Sequence, residues 1–158
     1  MTTAHSATFT RTYAAPPERV WAAWTDVALL ARWYGCAVDQ LWTIHTWDVR
    51  PGGSLHVSMD FDGTPFVVEG TFLDVDEPTR LRYTFGGEQV ITVAIAAHQQ
   101  GSQVTITHDG LPSAAMVDTV TGGWSNSIEQ LADAIAASLP TGAVTAPPST
   151  GVTTGGDG

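Results

Sequence analysis

The sequence has no lysine, and its six arginines stand against sixteen acidic residues, a formal net charge of −10 over 158 residues. A surface that follows nucleic-acid phosphates needs clustered positive charge, so no nucleic-acid partner is expected, and attraction to anionic membranes is disfavoured. Acidity of this degree serves solubility. Cysteine is reduced to Cys36. An internal disulfide is therefore excluded, and no base or cation can be placed beside Cys36 to make it a reactive thiol. No apolar run approaches the ~18 residues of a membrane span. Residues 1–8 also lack the apolar core of a secretion signal. A cytoplasmic protein without membrane insertion, monomer or homodimer, is the expectation. A nucleophile elbow, a phosphate loop, a paired-cysteine zinc motif and a metalloprotease helix are all missing. Neither a cofactor nor a resident metal is expected.

Aromatic residues are plentiful: six Trp, five Phe and three Tyr. Each buries on the order of 150–250 Å², and a chain of this length can bury roughly two-thirds of its unfolded surface. One domain over residues 1–140 follows. After Pro140 the composition falls to Thr, Gly, Pro, Ala and Ser. Such a segment cannot bury enough apolar surface to order itself, so a disordered tail over 141–158 is expected.

Along the chain, residues 8–13 read as a short strand. Pro16-Pro17-Glu18 opens a helix, since proline suits the first turn and an acid suits the positive end. Val20, Trp21 and Trp24 form its apolar side. A second helix over 26–33 has Asp26 as its cap and Leu29, Leu30 and Trp33 as its buried face. From Leu41 to Asp109 the period becomes two. Six strands follow, joined by turns at Pro51-Gly52-Gly53, Asp62-Gly63, Glu77-Pro78, Gly86-Gly87 and Gln100-Gly101. Connections this short join antiparallel neighbours. A long helix then reads from Gly122 to Leu139, with Trp124, Ile128, Leu131, Ile135 and Leu139 at helical spacing and Met116 and Val120 extending the stripe backwards. Residues 113–121 read as a separate short helix. Asn126 and Glu129 have capping-box spacing, so starts at Gly122 and at Asn126 both stay open.

The alternation also fixes faces, because a one-residue slip turns every side chain over. A three-residue loop at 51–53 pairs Val49 with Leu55 and Trp47 with Val57. The Asp62-Gly63 turn pairs Met59 with Phe66 and Val57 with Val68. Tyr83 then lies opposite Ile91, and Ile91 opposite His108, with Glu88 drawn into the Gly86-Gly87 loop. His45, Trp47, Met59, Phe66, Phe72, Tyr83, Phe85 and His108 fall on the inward face. Asp48, His56 and Glu69 form an outward row. That row reads as solvated ion pairing, with a metal site as the competing reading.

An ordered set of short motifs carries a family likeness: Pro16-Pro17-Glu18-Arg19-Val20-Trp21, Trp24-Thr25-Asp26, Trp33-Tyr34-Gly35 and Asp48-Val49-Arg50-Pro51-Gly52-Gly53. Gly70, Leu81, Tyr83-Thr84, the run from Thr105 to Pro112, and Gly123-Trp124 complete it. Over about residues 8–139 the chain resembles the SRPBCC superfamily of START-like and polyketide-cyclase-like domains. Within it, the likeness is to the branch of heat-shock-protein-90 ATPase activator homologues. The resemblance implies an α+β helix-grip fold, in which a curved antiparallel sheet of about seven strands wraps a long C-terminal helix around a cavity. It implies no shared catalytic residue. The activators themselves are larger, so a co-chaperone role is not expected of this chain.

The expected function is binding of a small hydrophobic molecule between sheet and helix, by Trp47, Met59, Phe66, Phe72, Phe85, Trp124 and Ile128. The alternative is a cofactor-independent cyclase or dehydratase acting on a polyketide-like intermediate. In that case His45, Tyr83 or His108 would supply a proton or orient a carbonyl. For His45 the plainer reading is a buried histidine bonded to a backbone carbonyl, and for His108 a structural role at a strand end. Gly122-Gly123 would be the hinge if the helix moves to admit a ligand.

Overall fold

Period-two alternation broken by glycine-rich turns can close only by pairing each strand with the next. The computed structural model describes residues 5–37, 40–61 and 63–138. Its strands in chain order are β1 (His5–Tyr13), β2 (Gly35–Ala37), β3 (Gln40–Leu41), β4 (Thr43–Trp47), β5 (Ser54–Phe61), β6 (Thr64–Asp76), β7 (Arg80–Thr84), β8 (Val90–His98) and β9 (Gly101–Leu111). The six-stranded meander from β4 to β9 is present. β1 returns to pair with β9, with Phe9 opposite Ile106, giving a seven-stranded curved sheet in the order β1-β9-β8-β7-β6-β5-β4. β2 and β3 form a separate small ladder that the sequence does not announce. Cys36 sits in β2, and its side chain lies outside the described residues, as do Leu139 and the 141–158 tail.

Helix α1 (Pro17–Thr25) carries proline and Glu18 in its first turn and buries Val20, Trp21, Ala23 and Trp24. Asp26 ends it and caps α2, accepting from the Ala28 N–H at 3.0 Å. Helix α2 (Val27–Leu30) is shorter than expected. Beyond Leu30 the chain tightens into turns, with the Trp33 N–H on Leu30 O at 3.2 Å, and this seats Trp33 and Tyr34 in the core. The third helix, α3 (Ala114–Ser138), runs unbroken for 25 residues. The expected separation at Gly122 and the alternative start at Asn126 are therefore corrected. Ser113 caps it, accepting from the Met116 N–H at 3.1 Å. Two glycines cost roughly 1 kcal/mol each in a helix. A new start would leave further N–H groups without partners, and the stripe through Met116, Val120 and Trp124 needs a single helix. Among the described residues no helix is long and apolar enough to cross a membrane.

Most of the expected register holds. Met59 pairs with Phe66, Val57 with Val68, Phe72 with Tyr83, Tyr83 with Ile91, and Ile91 with His108. The β4–β5 pairing differs. Trp47 lies opposite Leu55 and Ile44 opposite Val57, with a bulge at His45. The Asp48 N–H bonds Ser54 O, leaving five residues, not three, in the loop. Thr46, not Asp48, therefore faces His56, and Asp48 pairs with Arg50 at 2.7 Å. The proposed outward row is broken. Gly70 leaves no room for a side chain, since a Cβ there would sit 2.0 Å from Thr84 O. At this point β6 passes from pairing with β5 to pairing with β7.

Candidate functional site

Three elements leave a space at one end of the sheet: the β7–β8 loop, the end of β9, and the first half of α3. The space is a cavity of about 760 Å³. Phe66 and Val68 on β6, Phe85 and Ile91 flanking the loop, and Met116, Val120, Gly123 and Trp124 on α3 supply most of its wall, with Tyr34 and Trp42 closing the side. Gly110 makes this junction possible. Its φ is +78°, and a Cβ would lie 2.1 Å from Glu88 O, so only glycine lets the end of β9 lie against the loop. At the mouth Trp42 packs on Phe66 at 6.0 Å and edge-on to Phe85 at 5.6 Å, and Phe66 is 52% exposed.

One polar chain crosses the wall. The Trp124 Nε1–H donates to His108 Nδ1 at 3.0 Å, and His108 Nε2 lies 2.7 Å from Gln89 Oε1. An indole N–H can only donate. Nδ1 must therefore be the unprotonated nitrogen, and the imidazole proton sits on Nε2 and donates to Gln89. His108 is 3% exposed. Burial pushes its pKa down to about 4, against the opposing pull of the Asp109 carboxylate, so the ring is neutral near pH 7.

A second polar pair lies deeper. The Tyr34 and Tyr83 hydroxyls are 2.8 Å apart. Burial, reinforced by Tyr34, holds the Tyr83 phenol well above its ordinary range. Beyond Trp124 the helix is fastened down. The Ser127 hydroxyl donates to Gly35 O, the Tyr13 hydroxyl to Ile128 O at 3.1 Å, and the Gln130 amide to Trp33 O at 2.7 Å, while Glu129 pairs with Arg11.

The residues expected at a site separate into three groups. Phe66, Phe85, Trp124 and His108 line the cavity. Trp47, Met59, Phe72, Tyr83 and Ile128 are buried but do not line it. Trp47 donates its indole N–H to Trp24 O at 2.9 Å and packs edge-on to Phe72 and Tyr83. His45 is a correction: the bulge turns it outward, where it is exposed, bonded to Ser58 Oγ at 2.7 Å and 4.7 Å from the His56 ring. It does not share a site with His108. Among the described residues no group of three His, Cys, Asp or Glu could hold a metal. Tyr34, Trp42, Gln89 and Ser127 were not expected at the site. The Trp33-Tyr34-Gly35 motif was the available signal for Tyr34; Gln89, in a turn, offered none.

Comparison with solved structures gives the same architecture. A protein from Chromobacterium violaceum is 28% identical, with TM-score 0.76, over 82% of this chain and 96% of that one. An AHSA1-like protein from Aeromonas hydrophila is 24% identical, with TM-score 0.74, over 84% and 93%. A Staphylococcus aureus protein of unknown function is 20% identical, with TM-score 0.77, over 86% and 96%. The last two are likenesses of fold alone. No curated protein matches. Residues 14–136 match the family described as Activator of Hsp90 ATPase homolog 1-like protein, and with the helix-grip sheet and helix in place, the chain belongs to that family, the branch of the SRPBCC superfamily that its motifs resemble.

Proposed function

We propose that the protein binds a small hydrophobic molecule in the cavity between the sheet and α3. The observation that carries this is the cavity itself, about 760 Å³ and walled by Tyr34, Trp42, Phe66, Phe85 and Trp124 with few polar groups. Its size and lining are those of small-molecule pockets. A cytoplasmic setting accords with the acidic, cysteine-poor composition.

The cyclase or dehydratase reading draws less support. Its three candidate proton donors do not converge: His45 is outside, Tyr83 is sealed behind Tyr34, and both ring nitrogens of His108 are engaged. Chemistry here would have to rest on holding a flexible substrate folded in a dry space. Binding without chemistry is the reading adopted.

The test is a titration with the uncharged probe N-phenyl-1-naphthylamine, read by quenching of tryptophan fluorescence, beside native mass spectrometry of the purified protein. Saturable one-to-one binding is expected. Val120→Trp, which fills the space under α3, should weaken it at least ~10-fold, the factor that ~1.4 kcal/mol represents, without lowering the melting temperature. A flat titration of the unmodified protein, or a Val120→Trp variant that folds and binds equally well, would overturn the proposal.

A further inference from the structure

We infer that the cavity selects uncharged, largely apolar molecules carrying a hydrogen-bond acceptor such as a ketone or ester carbonyl, and that Gln89 is the residue that reads the acceptor. The inference rests on the binding reading above and adds the ligand's chemistry to it.

The first argument is charge. No arginine lines the cavity among the described residues, and the chain has no lysine. His108 presents no positive charge, because Nδ1 is occupied by the Trp124 N–H. The formally charged wall residue is Glu88, exposed at the rim. A carboxylate or phosphate entering this space would lose its hydration and gain no countercharge. Fatty-acid-like and phosphorylated ligands are therefore selected against, whatever their apolar part.

The second argument is the direction of the polar chain. Its start is fixed by an atom that cannot accept, the Trp124 indole nitrogen. Every later bond inherits that direction, from Trp124 to His108 to Gln89. The amide oxygen of Gln89 accepts from His108, its NH₂ group is the donor end of the same side chain, and Gln89 lines the cavity. Gln89 is also held in place by its backbone. Its N–H bonds Gly86 O at 3.1 Å, and its carbonyl accepts from the Phe85 N–H at 2.9 Å. The three hydroxyls on the wall are already engaged, Ser127 with Gly35 O, Thr119 with Ala115 O and Tyr34 with the Tyr83 hydroxyl. A fixed donor in an apolar wall favours a ligand that brings the matching acceptor.

Three naphthalenes of similar shape test this: 2-acetylnaphthalene, 2-isopropylnaphthalene and 2-naphthoate, titrated at neutral pH. Naphthoate should bind at least ~10-fold more weakly than the ketone. Two variants isolate the donor. Gln89→Met removes it. Gln89→Glu keeps an acceptor for the His108 Nε2–H but presents oxygen where the amide presented N–H, so His108 stays anchored. Each variant should lose roughly 5- to 10-fold in ketone affinity, the usual worth of one net hydrogen bond. Binding of the isopropyl compound should change by less than ~2-fold. Naphthoate binding as tightly as the ketone, or a ketone-to-isopropyl ratio unchanged in both variants, overturns the inference and leaves the cavity reading standing. Failure of the unmodified protein to bind any of the three overturns both.

Discussion

His108 is the cavity-wall residue whose titration burial moves. Unfolded, a histidine takes up its proton near pH 6.5; folded, this one does so near 4 because burial disfavours the charged ring. Between those values the unfolded state binds more protons, so stability falls as pH drops through the window, by up to about 3 kcal/mol at its lower end. Above pH 6.5 the ring is neutral in both states and contributes no pH dependence. His108→Gln retains an acceptor for Trp124 and a donor for Gln89 and cannot titrate. Urea unfolding midpoints followed from pH 7 to pH 4 should show the unmodified protein losing more stability than this variant. Parallel curves would mean that His108 does not carry the effect. The same residue shows what the sequence made legible. Its row through Ile91 and Tyr83 was readable because the β7–β8 and β8–β9 pairings are uninterrupted; the β6–β7 ladder is bulged only beyond Phe72, which leaves Phe72 opposite Tyr83. His45 was misplaced because a bulge leaves no compositional mark, and a single extra residue reverses the face of everything on one side of it.

At the scale of the element, α3 has two unequal halves. Four consecutive residues, Ser127 to Glu129 and Gln130, tie one turn to β2, to β1 and to the segment after α2. Residues 114–121 are mostly exposed. Their described side-chain bonds are local, Thr119 to Ala115 O and the Ser113 cap, with Met116 and Val120 turned to the cavity. Gly122 stands between the halves, and a Cβ there would meet nothing within 4 Å. Gly122→Ala should therefore stabilise by about 1 kcal/mol, the difference in helix propensity, and raise the melting temperature by a few degrees. Amide hydrogen exchange should be faster over 116–123 than over 128–135, and the alanine variant should narrow that difference. Uniform protection along the helix would show that the glycine pair is no weak point. The sequence could not settle this, because a Gly-Gly pair reads as a break. The continuous apolar stripe on both sides of it was the better guide.

For the whole molecule, the meander was legible because its turns are written in glycine, proline and aspartate, and turns that short leave no other topology. The cavity was half legible. Its helical wall followed from the stripe, but Gln89 comes from a turn and Trp42 precedes its strand, where no periodicity reports a facing. Net charge is the remaining property that acts at this scale. Six arginines can neutralise only a minority of sixteen acids. The ion pairs formed are largely solvent-exposed, Arg50 with Asp48 at 2.7 Å and Arg80 and Arg82 around Asp74 at 3.9 and 3.6 Å. Exposed pairs contribute about 0–1 kcal/mol each, whereas repulsion among the unneutralised carboxylates acts across the whole surface and opposes the compact state. Salt screens both, with a screening length of about 10 Å at 0.1 M. Because acids outnumber arginines sixteen to six, raising sodium chloride from ~0.02 to ~0.2 M should raise the melting temperature by a few degrees. A fall over that range would mean that the surface ion pairs outweigh the excess of negative charge.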